Sequence, residues 1–239
     1  MLGGVPDLTS PVLGFDGAWR LASQVDGWLT KDQARALYDA ARAVRPGRVV
    51  EIGSHVGRST IMLAASGAPI TAIDPFPVDW RYGRTDTEQR LRTNLVDSGV
   101  DALVDIHVAT SRATRADWSK PVRLVFIDGK HDMWSCRDDM RWSAFLATGD
   151  VMLVHDAFSS LGVTLALMRD ALTTSRHRYV GRTGSLAHFV IARPSFRDRL
   201  RVVLETPWFV RNLGIKALLR LRLRPIARLL GHSDATDPY

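Results

Sequence analysis

The chain has 239 residues, 46% of them hydrophobic and 24% charged, a composition that allows one globular domain with a sizeable core and an appendage. No apolar run approaches the ~20 residues of a bilayer-spanning helix, and the first ten residues lack the basic start and apolar middle of a signal peptide, so a cytoplasmic location is expected. The only cysteine, Cys136, excludes an internal disulfide and a thiolate metal cluster, and the net charge of +7 resides in residues 196–230, where nine Lys and Arg face two acids; the neutral remainder argues against nucleic acid as a partner.

Residues 1–28 read as an irregular lead-in rich in Gly, Pro and Asp, with Phe15, Trp19 and Trp28 as anchors. Thr30 followed by Gln33 is a capping box, which predicts an amphipathic helix through about Val44 that stops at Pro46-Gly47. From Arg48 the pattern changes: RVVEIG precedes helical RSTIMLAAS, ITAIDPF precedes DTEQRLRTNLVDSG, and VDIHVATS follows. VRLVFIDG then precedes CRDDMRWSAFLATG, DVMLVHDAF precedes GVTLALMRDAL, and RYVGRTG and LAHFVIARP close the series. Seven apolar runs with little alternation, most of them separated by helices, predict an α/β fold with a mostly parallel sheet covered by helices on both faces and an antiparallel pair at its edge. The chain divides into a lead-in and helix (1–46) expected to help cover the site, a catalytic domain (47–194) and a basic amphipathic tail (195–239).

In an open parallel sheet, ligands collect at the carboxyl ends of the strands. Those ends carry the chemistry here: Glu51 and Gly53 after the first run, Asp74 after the second, Ser111 after the third, Asp128 and His131 after the fourth, His155 and Asp156 after the fifth. The first turn, VVEIGSHVGRST, spaces Gly53 and Gly57 as GxxxG, letting the backbone approach a ligand closely, and matches neither the dinucleotide nor the phosphate-loop pattern. Glu51 beside that turn would repel a pyrophosphate but attract an ammonium group. Asp74 lies 21 residues after Gly53, where a carboxylate can accept both hydroxyls of a ribose. A ligand with a ribose, an amino-acid end and no phosphate is S-adenosylmethionine.

VVEIGSHVGRST, AIDPF and LVFIDGKH resemble the first, second and fourth motifs of class I S-adenosylmethionine-dependent methyltransferases, whose Rossmann-like seven-stranded fold is thereby implied. The resemblance places Glu51, Gly53 and Gly57 near the methionine moiety, with Ser54, His55 and Ser59 of the same turn, Asp74 on the ribose and Ser111 near the adenine; Asp128 joins this cofactor-binding set. The DGxH strand end followed by an acid-bearing fifth strand end is similar to the metal-dependent O-methyltransferases that act on sugars of macrolides and related glycosides. It implies a divalent cation held by Asp128 and the pair His155-Asp156, with His131 as base. His155 departs from the acid usual at its position. Magnesium is the first expectation and manganese the second, yet magnesium prefers oxygen, so His155 either stays outside its coordination shell or shifts preference toward manganese, iron or zinc.

The combination is chemically sensible. An alcohol with a pKa near ~15.7 is about 12 kcal/mol from deprotonation by an imidazole near ~6.5, a gap a cation on the oxygen narrows. The expected activity is O-methylation of a small-molecule or oligosaccharide hydroxyl, with a methylmannoside precursor among the acceptors. Alternatives are a catechol or phenolic acceptor and a non-catalytic membrane-associated binding protein. Trp80, Tyr82, Trp134 and Trp142 either line an acceptor pocket or pack in the core or a lid, and 77–88 is the candidate lid. Asp138 and Asp139 read as the solvated face or first turn of the following helix rather than a second metal site. The tail reads as a packed helix, a peripheral membrane-surface segment or a homodimer contact.

Overall fold

The computed structural model describes residues 13–78 and 83–232. Trp80, Tyr82 and part of the 77–88 segment lie outside the described residues. Seven strands form one sheet: β1 (Val49–Ile52), β2 (Ile70–Ile73), β3 (Val104–His107), β4 (Val122–Ile127), β5 (Leu146–Val154), β6 (His177–Thr183) and β7 (Leu186–Ile191), in the order β3-β2-β1-β4-β5-β7-β6. β1 to β5 run parallel; β7 lies antiparallel to β5, and β6 antiparallel to β7 at the edge. The hairpin turns through Gly184, whose φ of +57° suits a residue without a side chain.

The strands are short and apolar because both faces are covered. Val49, Leu124, Phe126 and Leu153 enter one core, whereas Val50, Ile52, Val125, Ile127, Met152 and Val154 enter the other; successive side chains of a strand point to opposite faces. The first core is closed by α1 (Phe15–Ala22), α2 (Lys31–Ala43), α3 (Arg58–Ala65) and α4 (Thr87–Asp97). The second is closed by α6 (Met133–Asp139) and α7 (Leu161–Thr173), α5 (Ser111–Ala116) being a short helix between β3 and β4. Cys136 lies buried in that second core.

α2 has the predicted capping box: Thr30 Oγ1 accepts from the Gln33 N–H, and Gln33 Oε1 accepts from the Thr30 N–H. The lead-in is less irregular than its composition suggests. α1 buries Phe15, Ala18 and Ala22, a stripe at helical spacing that the small size of its alanines conceals in the sequence, and Phe15 meets Tyr38 of α2 edge-on. The helix expected over residues 136–149 ends at Asp139; a 3₁₀ segment, Met140–Phe145, follows, and β5 begins at Leu146.

The tail begins at a second capping box, Ser195 with Asp198, and folds into α8 (Phe196–Val203), α9 (Thr206–Arg220) and α10 (Arg224–Leu229). Parts of it pack on the domain: Val202 joins the second core, Glu205 accepts from Tyr179 and Arg182, and the Trp208 ring lies between the guanidiniums of Arg182 and Arg211. Among the described residues no helix is long and apolar enough to cross a membrane.

A methyl at Gly53 would overlap the carbonyl oxygen of Asp128, and the φ of Gly53 is +91°. Gly149, with φ +95°, has open space around it. Gly53→Ala should therefore cost more than about 3 kcal/mol in urea denaturation, and Gly149→Ala about 1 kcal/mol, the backbone strain alone.

Candidate active site

The turn after β1 is fixed by main-chain contacts. The Gly53 N–H donates to the Ile73 carbonyl of β2, while its α-carbon abuts the Asp128 carbonyl at the end of β4. A methyl at Gly57, where φ is +99°, would lie 2.7 Å from the Leu91 side chain of α4. The close approach these glycines permit within the protein is to its own chain, a role that the glycine pattern alone does not disclose. His55, at φ +47°, donates its N–H to Asp74 Oδ2 (2.9 Å), and the Phe76 N–H donates to Asp74 Oδ1 (2.8 Å). Asp74 is held beside the glycine turn with lone pairs to spare on both oxygens. The lead-in reaches the same place: Trp28 lies 6.0 Å from the His55 ring, and Arg58 donates to the Gly27 carbonyl. Ser54 Oγ is buried in the turn without a hydrogen-bond partner among the described residues.

Glu51 shares the strand face of Val49 and is therefore turned into the sheet toward α3. It is fully buried, accepting from Ser59 Oγ (2.5 Å) and Thr60 Oγ1 (2.6 Å). Burial pushes its carboxyl up to about 7; the two hydroxyls oppose that shift, and Asp128 and Asp74 add to it.

Ser111, the first residue of α5, accepts from Trp142 Nε1 at 2.9 Å and hydrogen-bonds Asp139. Asp139 is buried and pushed up to about 6 by burial, which corrects its reading as part of a solvated face; Asp138 pairs with Arg115 instead. Trp142 is fully buried and belongs to the core, whereas Trp134 is 72% exposed.

The fourth and fifth strand ends converge. Asp128 follows β4, His155 and Asp156 follow β5, and a methyl at Gly162 of α7 would overlap the His131 carbonyl, so the turn after β4 is pressed against the start of α7. His131 Nε2 lies 3.1 Å from Asp156 Oδ2 and 3.6 Å from Asp128 Oδ1. His155 Nδ1 lies 3.2 Å from Asp128 Oδ1 and 3.9 Å from Asp156 Oδ2, without the alignment of a hydrogen bond. One ligand atom from each of Asp128, His155 and Asp156 falls within 4.8 Å of the others. Asp156 takes a φ of +54°, and its Oδ1 accepts from Ser159 Oγ. Although burial opposes charge on His155, Asp128 and Asp156 raise it to about 9; they raise His131 too, and the two histidines in turn hold Asp128 below the usual carboxylate range despite its burial. Asp132, beside His131, is the N-cap of α6.

Gln33 is an unexpected participant. Its Oε1 lies 3.3 Å from His155 Nε2, and its Nε2 donates to Ser185 Oγ. An amide oxygen there holds a proton on Nε2, so Nδ1, which faces the two carboxylates, is the nitrogen that would give up its proton to a cation. The sequence shows Gln33 as a cap residue; its meeting with a histidine 122 positions away is a product of the fold.

Residues 50–157 match a family model described as a methyltransferase domain. Among solved structures, cofactor-bound Rv0187 from MTB is 20% identical, with 81% of this chain and 93% of that chain covered and a TM-score of 0.58. The O-methyltransferase from Bacillus cereus in complex with SAH is 14% identical, covering 74% and 90%, with a TM-score of 0.56. The O-methyltransferase TomG from Streptomyces achromogenes, involved in tomaymycin synthesis and bound to SAM, is 18% identical, covering 80% and 92%, with a TM-score of 0.53. Strand order and structural likeness together define the fold: the chain has a Rossmann-like seven-stranded α/β fold shared with these methyltransferases, and its residues 50–157 match a methyltransferase domain.

The raised Glu51 makes the ligand-free fold pH-dependent. A carboxyl whose folded value is about 7 against an ordinary 4.5 contributes stability below pH 4.5 that is lost as pH rises through 7. Wild-type protein should lose up to about 3 kcal/mol from this group between pH 5 and pH 8 in chemical denaturation. Glu51→Gln should lack that component.

Proposed function

We propose that the chain methylates a hydroxyl oxygen of a sugar or oligosaccharide, with S-adenosylmethionine as donor, a divalent cation held by Asp128, His155 and Asp156, and His131 as base. The observation that carries this reading is the orientation of His155. Its Nε2 is engaged by Gln33, and its buried Nδ1 points at two carboxylates without an aligned hydrogen bond, the arrangement of a metal-ligating imidazole with its second nitrogen anchored. One nitrogen with two carboxylate oxygens suits manganese, iron or zinc and tolerates magnesium.

When bound, the cation supplies stabilisation of a developing alkoxide, and S-adenosylmethionine supplies the electrophilic methyl. The chain's own residues do the rest. Asp74, steadied by two backbone N–H groups, offers its remaining lone pairs to ribose hydroxyls. Ser54 Oγ, unpartnered in the turn, offers a polar contact to the methionine end. Glu51, buried behind the turn and held by Ser59 and Thr60, would be drawn back to its ionised form by an ammonium group bound nearby. His131 is about half exposed and takes the acceptor's proton on Nε2, where Asp156 and Asp128 stabilise the imidazolium. A sugar acceptor is favoured because cation and base together suit an alcohol, whereas a phenol, ionising near pH ~10, needs less help. Trp134, exposed three residues beyond His131, provides an aromatic face on which a sugar can pack.

Turnover with labelled cofactor across a panel of sugars and phenols tests the reading directly: EDTA-insensitive transfer would remove the cation, and transfer to phenols alone would remove the sugar. Asp128→Ala should abolish EDTA-sensitive turnover while titration calorimetry with S-adenosylhomocysteine changes little. Asp74→Ala should weaken that binding about tenfold or more, as expected for the loss of a charge-assisted hydrogen bond. Gln33→Leu should lower Mn²⁺ affinity, read by electron paramagnetic resonance, by about 10-fold to 100-fold, the usual effect of losing a partner that orients a ligand.

A further inference from the structure

The tail inverts the usual order of a surface helix. α8 exposes Phe196 at 79%, with Leu200, Val203 and Leu204 also exposed, and these positions share one helical stripe. α9 exposes Val210 and Leu213, and the segment after it exposes Leu221, Leu223, Ile226, Leu229 and Leu230. Arg220, Arg222, Arg224 and Arg228 are interleaved with that second group, all four exposed, and residues 206–232 contain no acid. Both acids of the first tail helix and its end are already engaged, Asp198 by Ser195 and Arg201, and Glu205 by Tyr179 and Arg182.

We infer that α8 to α10 form a docking surface for an anionic bilayer. Arginines among exposed aliphatic side chains suit a surface that offers phosphate-bearing headgroups above an apolar layer, so that one docked segment satisfies both. A polyanion such as RNA would use the arginines but leave the leucines, valines and phenylalanine in water. A symmetric pairing of two copies through this patch would bury the apolar residues but set like charges against each other. The inference stands apart from the acceptor reading, because none of the described tail residues belongs to the candidate site. It does bear on the site's orientation: Asn212 of α9 donates to the Phe158 carbonyl (2.9 Å) and Lys216 to the Ser159 carbonyl (2.7 Å), so the docking helix grips the loop that presents Asp156.

The test is co-sedimentation of the full chain with vesicles of phosphatidylcholine alone or with about a third phosphatidylglycerol, at low and high salt. Binding should require the anionic lipid and weaken as salt screens the charges. At about 1 kcal/mol per basic residue near such a surface, each lost arginine lowers partitioning roughly fivefold. Arg222→Glu with Arg224→Glu should therefore lower it by more than tenfold, and Leu221→Ser with Leu229→Ser should lower it at constant charge. Unchanged thermal midpoints and S-adenosylhomocysteine affinity would separate both effects from misfolding. The inference is overturned if the wild type ignores anionic vesicles, if it binds neutral ones equally, or if the leucine pair has no effect. It is also overturned if the patch instead drives dimerisation, seen by sedimentation velocity, or retains transfer RNA while ignoring vesicles.

Discussion

Everything at the site depends on how closely the ends of β1 and β4 approach. Gly53 sits against the carbonyl of Asp128 with no room for a side chain between them, so the glycine turn, Asp74 and the fourth-strand aspartate are registered by main-chain contact rather than by adaptable side chains. The parallel pairing of β1 with β2 and β4 delivers all three strand ends to one rim. A rigid rim of this kind suits group transfer, where small misplacements of reacting atoms cost large factors in rate.

That rim gathers carboxyl groups. Glu51, Asp74, Asp128 and Asp156 all lie at or near it, and the fields of Asp74 and Asp128 help keep Glu51 protonated near neutral pH. Two histidines answer the charge on one side, raised by the same carboxylates. The class I fold is a scaffold for many acceptors, so function has to be read from such local chemistry. A cationic ligand end near Glu51 and a cation among Asp128, His155 and Asp156 are the two additions that would relieve this crowding of acids.

The tail has two kinds of face with different physics. Inward, Val202, Glu205, Asn212 and Lys216 meet the domain through burial and hydrogen bonds. Outward, leucines and arginines alternate without acids. Solvent alone does not favour that outward composition.

The sequence by itself determined the sheet, because buried parallel strands must be short apolar runs and their carboxyl ends are where the unusual polar residues stand. The α2 capping box, the edge hairpin and the convergence of Asp128, His131, His155 and Asp156 were all legible, since each depends on local spacing or on strand-end position. Three matters were decided only by tertiary structure. Gly53 and Gly57 serve Asp128 and Leu91, a purpose that a glycine pattern does not disclose. Asp139 is buried against Ser111 rather than solvated, because the short α6 gives way to a 3₁₀ turn that carries Trp142 into the core. Gln33 reaches His155 across 122 residues, since a helix-capping amide has a free face whose partner is set by how α2 packs on the sheet.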